Sequence, residues 1–236
     1  MITLRPASER GTANFGWLDS KHSFSFGSYY DPEHMGFSAL RVINDDSVAP
    51  GAGFATHGHR DMEIISYVLQ GSIAHKDSEG NVEVLPAGEF QLMSAGSGIT
   101  HSEYNASKTE PLKFLQIWIQ PNTLGNTPGY QQKNFGQAIG LTTIATSTGE
   151  NDTLHIKQNA TLSQLILAPH SEQTYTIAAG RKVYVHQVAG ELKVESQRLA
   201  AGDGAKITER QTITFKNELD DQSTALLFDL PSCQHS

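Results

Sequence analysis

Apolar and polar positions along this chain alternate in short runs, and no long segment holds a 3.6-residue period. In the first half the runs are FSALRVIND, EIISYVLQG, GSIAHKD, VEVLPAG, FQLMSAG, ITHSEYN and LKFLQIWIQ, set at about ten-residue spacing with Gly, Asn, Ser or Thr between them. Short runs rich in Val, Ile, Leu, Phe and Tyr, separated by turn residues, predict an all-β sandwich or barrel with few, short helices. Between Pro121 and Asp152 the chain turns polar, small and rich in Gly and Pro, which reads as a connection with peripheral loops. Strand-like runs then resume as LSQLILAP, TYTIAA, RKVYVHQVAG, ELKVES, AKITER, TITFKNE and TALLFDLP. The halves also echo one another. YVLQG and VLPAG, ending at Gly71 and Gly88, are matched by VHQVAG and RLAAG, ending at Gly190 and Gly202. Two tandem barrels are therefore expected, one over residues 1–125 and one over 126–236.

Composition narrows the function classes. The 236 residues carry 25 acidic against 17 basic side chains, a formal charge of -8. No basic run exceeds Arg181-Lys182, so no direct nucleic-acid binding is expected. A single cysteine, Cys233, allows no internal disulfide and no thiolate metal cluster. There is no apolar leader in MITLRPASERG and no window approaching a membrane span. The expectation is a cytoplasmic monomer with no membrane partner.

The chemistry concentrates in two places. In FATHGHRDME, His57 and His59 stand two apart, and in GSGITHSEYN so do His101 and Glu103. Along a strand, residues i and i+2 share a face about 6.6 Å apart, so each pair can lean toward one cation. One His-x-His pair among ten histidines carries little weight. Two same-face pairs in one half, each flanked by glycines, point to a metal site if their strands are neighbours. Glu63 competes with Glu103 for the carboxylate position, but on an unbroken strand it lies about 13 Å from His59. It is read instead as orienting a ligand imidazole or as a surface carboxylate. Counting back from Gly190 as the histidines lie back from Gly71 reaches Thr176 and Ala178, so the second half has no ligands there. His22, His34, His75, His155, His170, His186 and His235 lack partners at ligand spacing and are expected to be ordinary hydrogen-bonded or exposed rings. SFSFGSYY (Ser23 to Tyr30) is expected mainly to pack in the core.

These segments resemble known motifs. Gly51-x5-His57-x-His59-x3-Glu63-x7-Gly71 and Gly98-x2-His101-x3-Asn105 look like the two cupin motifs. They depart from them in reading Gly96-Ser97-Gly98 where Pro-x-Gly is usual, and in a spacer one residue longer after Glu63. A fuller resemblance, covering most of residues 1–120, is to the pirin family of bicupins. It is carried by GWLDSKHSFSFGSYYDPEHMGFSALRVINDD, HGHRDMEIISYVLQG and PAGEFQLMSAGSGITHSEYN, with Gly58 standing where many pirins have proline. The resemblance implies two tandem cupin (jelly-roll-like) β-barrels, the second without metal. It also implies a single metal ion held at His57, His59, His101 and Glu103. That ion is expected to be Fe(II), with Ni, Co, Mn, Cu or Zn as alternatives. The implied activity is quercetin 2,3-dioxygenase, which opens a flavonol ring with O2 and releases carbon monoxide. Glu103 is the candidate general base in it. The alternative is a metal-binding regulatory or redox-sensing protein that acts through a protein partner, as eukaryotic pirins are associated with transcriptional co-regulation. A sugar or acid isomerase ranks behind both.

Overall fold

The computed structural model describes residues 1–232, so Cys233 and His235 lie outside the described residues. In chain order the strands begin with β1 (Ile2–Arg5), β2 (Gly11–Asn14), β3 (Leu18–His22), β4 (Leu40–Val48), β5 (Gly53–His59) and β6 (Glu63–Gln70). Next come β7 (Ser72–Asp77), β8 (Val82–Pro86), β9 (Glu89–Ser94), β10 (Ile99–Asn105), β11 (Leu112–Ile119) and β12 (Gly129–Asn134). They are followed by β13 (Gly140–Thr146), β14 (Leu154–His155), β15 (Thr161–Leu167), β16 (Ser171–Thr176) and β17 (Lys182–Ala189). The last are β18 (Leu192–Val194), β19 (Gln197–Leu199), β20 (Gly204–Ile207), β21 (Thr212–Asn217) and β22 (Ser223–Leu230). Two 3-10 turns, Ala7–Glu9 and Glu150–Asp152, are the only helical elements among the described residues, and no helix there is long and apolar enough to cross a membrane.

The strands form two barrels of the same build, as the spacing predicts. The first closes a seven-stranded sheet (β12-β9-β6-β11-β4-β3-β2) with a four-stranded one (β5-β10-β7-β8). The second closes β1-β20-β17-β22-β15-β13-β14 with β16-β21-β18-β19. Strands β12 and β13 lie within the polar stretch read as connection and loops. Strand β12 (GYQQKN) ends its sheet half-buried, so it never needed the apolar side chains that mark an interior strand. Two strands also pair across the expected division between residues 125 and 126: β12 joins β9, and β1 joins β20.

The two large sheets pack against each other. On β11, Phe114, Gln116 and Trp118 alternate with Leu115, Ile117 and Ile119. The second set belongs to an apolar cluster that also takes Ile65, Tyr67, Phe90 and Leu92 from the first barrel and Tyr184, Leu226, Phe228 and Leu230 from the second. Strands buried on both faces read as nearly unbroken apolar runs, which is why EIISYVLQ and LKFLQIWI stand out. Glu63 adds a polar tie. Its Oε1 accepts the backbone N–H of Lys157 at 2.6 Å, and burial raises its carboxyl above the usual range. Glu63 is thus buried rather than on the surface, and its Oε1 meets a backbone N–H rather than an imidazole; the turn at Arg60 to Met62, with Asp61 at φ 48°, carries it into the other sheet.

The sequence echo is a structural repeat. Asn105 Nδ2 donates to the carbonyls of Val48, Ala49 and Glu110, and Asn217 Nδ2 does the same for Leu167, Ala168 and Asp221. Gly71 and Gly190 both take positive φ where a Cβ would strike the chain opposite, at Pro111 and Gln222 respectively.

The departure at Gly96 also has a cause. Its φ is 50°, and a Cβ there would stand 2.0 Å from the Asn126 carbonyl oxygen. Proline, fixed near φ of about -65°, cannot occupy that turn. Gly96→Ala is expected to lower unfolding stability by about 2 kcal/mol or more, read as a shifted urea midpoint; an unchanged midpoint would show that the 122–128 loop gives way. Asn105→Ala and Asn217→Ala should each cost about 1–3 kcal/mol by leaving carbonyls unpaired. Similar losses in the two barrels, measured by chemical denaturation, are the signature of the repeat.

Candidate metal centre

Strands β5 and β10 are antiparallel neighbours, with His57 opposite His101 and His59 opposite Ile99. That register brings the three rings to one point. His101 Nε2 lies 3.0 Å from His57 Nε2 and 3.0 Å from His59 Nε2. His101 is buried, whereas His57 and His59 are half-buried. Gly58 between them is exposed, and a Cβ there would meet nothing nearer than 3.9 Å.

The hydrogen-bonding chemistry of the trio favours a cation. His57 Nδ1 lies 2.7 Å from the Ala55 carbonyl, so in the neutral ring Nδ1 carries the proton and Nε2 offers a lone pair. One proton on His101 cannot point at both neighbours, so three neutral rings leave a lone pair unmatched. A metal ion satisfies all three. Burial first, and then the neighbouring imidazoles, push His59 down to about 4 and His101 down to about 3. Both rings are therefore neutral near pH 7, the state that ligates.

Glu103 is buried beyond a bulge in the β5–β10 pairing, opposite Phe54. It groups with His101 and His75, while His57, His59 and His101 form a separate group. Its Oε1 is 3.9 Å from His101 Nδ1. Around it are only neutral donors at long range: Ser66 Oγ and Gln91 Nε2, each 3.4 Å from Oε2, and Gln116 Nε2, 3.5 Å from Oε1. Burial pushes its carboxyl up to about 7, against the lowering effect of those donors.

His75, expected to be an ordinary ring, sits inside this site. It is buried on β7 opposite Glu103, its Nε2 is 2.7 Å from Asp77 Oδ2, and its centroid is 5.5 Å from that of His101. Asp77 in turn accepts from the side chain and backbone of Asn81. His75-x-Asp77 has the same i, i+2 spacing as His101-x-Glu103, and that was the available signal. Only the β7–β10 register places it at the site.

A cavity of about 320 Å3 opens beside the trio. His57, His59, Phe54, Trp118, Phe26 and Phe15 line it together with Ser20, His22, Asn44, Asp46 and Gln116. Part of SFSFGSYY thus faces a pocket, since Phe26, Gly27 and Ser28 line it while Phe24 packs in the core. No lysine or arginine lines the cavity. Burial raises Asp46 to about 7, and it accepts a hydrogen bond from Ser20 Oγ.

The second barrel has the same frame with different contents. Aligning Asn217 with Asn105 puts Ile213 and Phe215 where the first barrel has His101 and Glu103, and both belong to one apolar cluster. Tyr175, opposite Ile213, stands in the place of His57, and Ile177, just past the strand and bonded to the Gln211 carbonyl, stands in the place of His59, rather than Thr176 and Ala178. The shift by one arises because the connection 178–181 is one residue longer than 60–62. No ligand set forms at this position.

Comparison with known proteins agrees with this architecture. The family model for pirin matches residues 3–119, and that for the quercetinase C-terminal cupin domain matches 143–230. A protein of Escherichia coli K12 named quercetin 2,3-dioxygenase is 48% identical over 231 residues, covering 98% of this chain and 99% of the relative. A pirin-like protein of Caulobacter vibrioides is 43% identical, covering 91% and 94%. The solved structure of the bacterial pirin YhhW of Escherichia coli, in complex with nickel(II), superposes with a TM-score of 0.94 at 48% identity, covering 98% and 99% of the two chains. With two cupin barrels, a histidine cluster in the first alone among the described residues, and this identity along nearly its whole length, the chain belongs to the pirin family.

Proposed function

We propose that this chain is a metal-dependent dioxygenase that opens the ring of a flavonol-like aromatic substrate with O2 and releases carbon monoxide. The observation that carries this reading is the convergence of three neutral imidazoles at the wall of an aromatic-lined cavity. The relative named quercetin 2,3-dioxygenase supports it. His57, His59, His101 and Glu103 are the proposed ligands, and imidazole with carboxylate suits Fe(II), Ni(II) and their neighbours. The bound cation would supply Lewis acidity toward an enolic hydroxyl and access to O2 chemistry.

The protein side of the reaction follows from the geometry. Phe26, Phe54 and Trp118 offer flat apolar surface for an aromatic ring and keep bulk water out of the cavity. Gln116 lines the cavity and donates to Glu103, which connects the carboxylate to the substrate space. Held only by long bonds from neutral groups, Glu103 is free to take the proton of the substrate hydroxyl as general base. Asp77 fixes His75 beneath His101 and so limits how the site can relax. With no lysine or arginine in the lining, an anionic sugar or acid substrate would find no permanently charged side chain beside the cation, and the aromatic walls suit a flat ring better than a sugar.

Anaerobic loading with Fe(II), followed by oxygen-electrode and carbon-monoxide assays with quercetin, tests the reading. Oxygen uptake matched by carbon monoxide is expected; fully loaded protein that consumes no oxygen would overturn it. His101→Ala should lose metal by elemental analysis and turnover together. Glu103→Gln should keep metal while kcat falls by about a hundredfold or more. Full turnover in Glu103→Gln would remove the base assignment.

A further inference from the structure

The inner face of the large first-barrel sheet carries a row of polar side chains that crosses five strands. Strand register places His22 beside Asn44, Asn44 beside Gln116, Gln116 beside Ser66, and Ser66 beside Gln91. All five are buried. Gln116, Ser66 and Gln91 spend their polarity on Glu103. The other end of the row does not. His22 Nδ1 and Asn44 Oδ1 are buried without any hydrogen-bond partner, and so is the nearby Trp118 Nε1. All three residues line the cavity.

Buried polar atoms without partners are rare in folded proteins, and they ask for an explanation. Here they lie on the wall of a cavity just large enough for one flat ligand. Aromatic contacts mark the distance from the imidazoles. His22 packs edge-on against Phe26, Phe26 against Trp118, and Trp118 against His59, with centroids 5.2, 5.5 and 5.2 Å apart. His22 also stands two strands from Gln116, about 10 Å across the sheet. The cavity therefore has two polar poles joined by aromatic walls.

We propose that His22 and Asn44, with the adjacent Ser20–Asp46 pair, form a hydroxyl-recognition subsite at the end of the cavity remote from the imidazole trio. It takes phenolic hydroxyls on the far ring of a flat polyphenol. The match is chemical. Asn44 Oδ1 needs a donor, His22 Nδ1 needs a donor or an acceptor according to its tautomer, and a phenolic hydroxyl is both. A carboxylate or phosphate would meet Asp46 and no basic side chain. This inference rests on the polyphenol reading proposed above and sets which polyphenols the site prefers.

The test is anaerobic binding, followed by tryptophan fluorescence, of three flavonols that differ only in their pendant ring: quercetin with two hydroxyls, kaempferol with one and galangin with none. The wild-type protein should bind them in that order, at least tenfold apart from first to last. Asn44→Leu and His22→Phe should weaken quercetin to the level of galangin, leave galangin within twofold of wild type, and keep metal content and melting temperature unchanged. Equal wild-type affinity for all three flavonols overturns the subsite without recourse to a variant, as does equal weakening of quercetin and galangin in a variant. The two proposals fail separately. An intact affinity ladder without oxygen uptake sinks the dioxygenase reading alone, and turnover with a flat ladder sinks the subsite alone.

Discussion

The first barrel is organised by a polar belt that interrupts its apolar interior. Above and below the belt the core is split into two small clusters, one around Leu18, Val48, Val68 and Phe114, the other around Ile64, Met93 and Ile99. Between them lie the His22-to-Gln91 row, Glu103, His75 and His101. Burying so many polar groups in a barrel is unfavourable unless each finds a partner. The packing against the second barrel offsets this, because the outer faces of the same strands bury Ile65, Tyr67, Leu115 and Ile117.

The second barrel shows what the same frame becomes without that demand. Its interior is one continuous apolar cluster, from Leu165 and Val183 to Ile213, Phe215 and Leu227. The asparagine that pins the end of β10 is retained at the end of β21, so the frame does not depend on the histidines. The two copies share this frame and differ in their inward-facing side chains, in the β5–β10 bulge that the β16–β21 pairing lacks, and in the length of the connection that follows. The division of labour is between a barrel that carries the site and one that braces the sheet behind it.

How much of this was legible in the sequence follows from how local each feature is. His57, His59 and His101 were readable because a two-residue period on strands is a local property. The barrel architecture was readable because strand length and turn spacing are local too. Glu103 was singled out by the same spacing, yet the bulge beyond His101 sets it with His75 rather than level with the three rings, and a bulge leaves no mark in one strand's sequence. His75, His22 and Asn44 acquire meaning only from which strand lies beside which. Strand β12 was hidden because a half-buried edge tolerates polar side chains, and β13 because its first four residues, GLTT, are not buried and β14 pairs only with its last two. Glu63 was misread because its partner is a backbone N–H 94 positions away.

Strand β1 gives the architecture a temporal side. Ile2 pairs with Ile207, so β1 is hydrogen-bonded to a strand far downstream of it in the sequence. A sheet edge of the second barrel stays open until β20 has been made, while the opening segment waits unpaired. Contacts this remote in sequence close slowly and expose unpaired strand edges meanwhile. The brace behind the site thus closes only after the strands of the first barrel have been made.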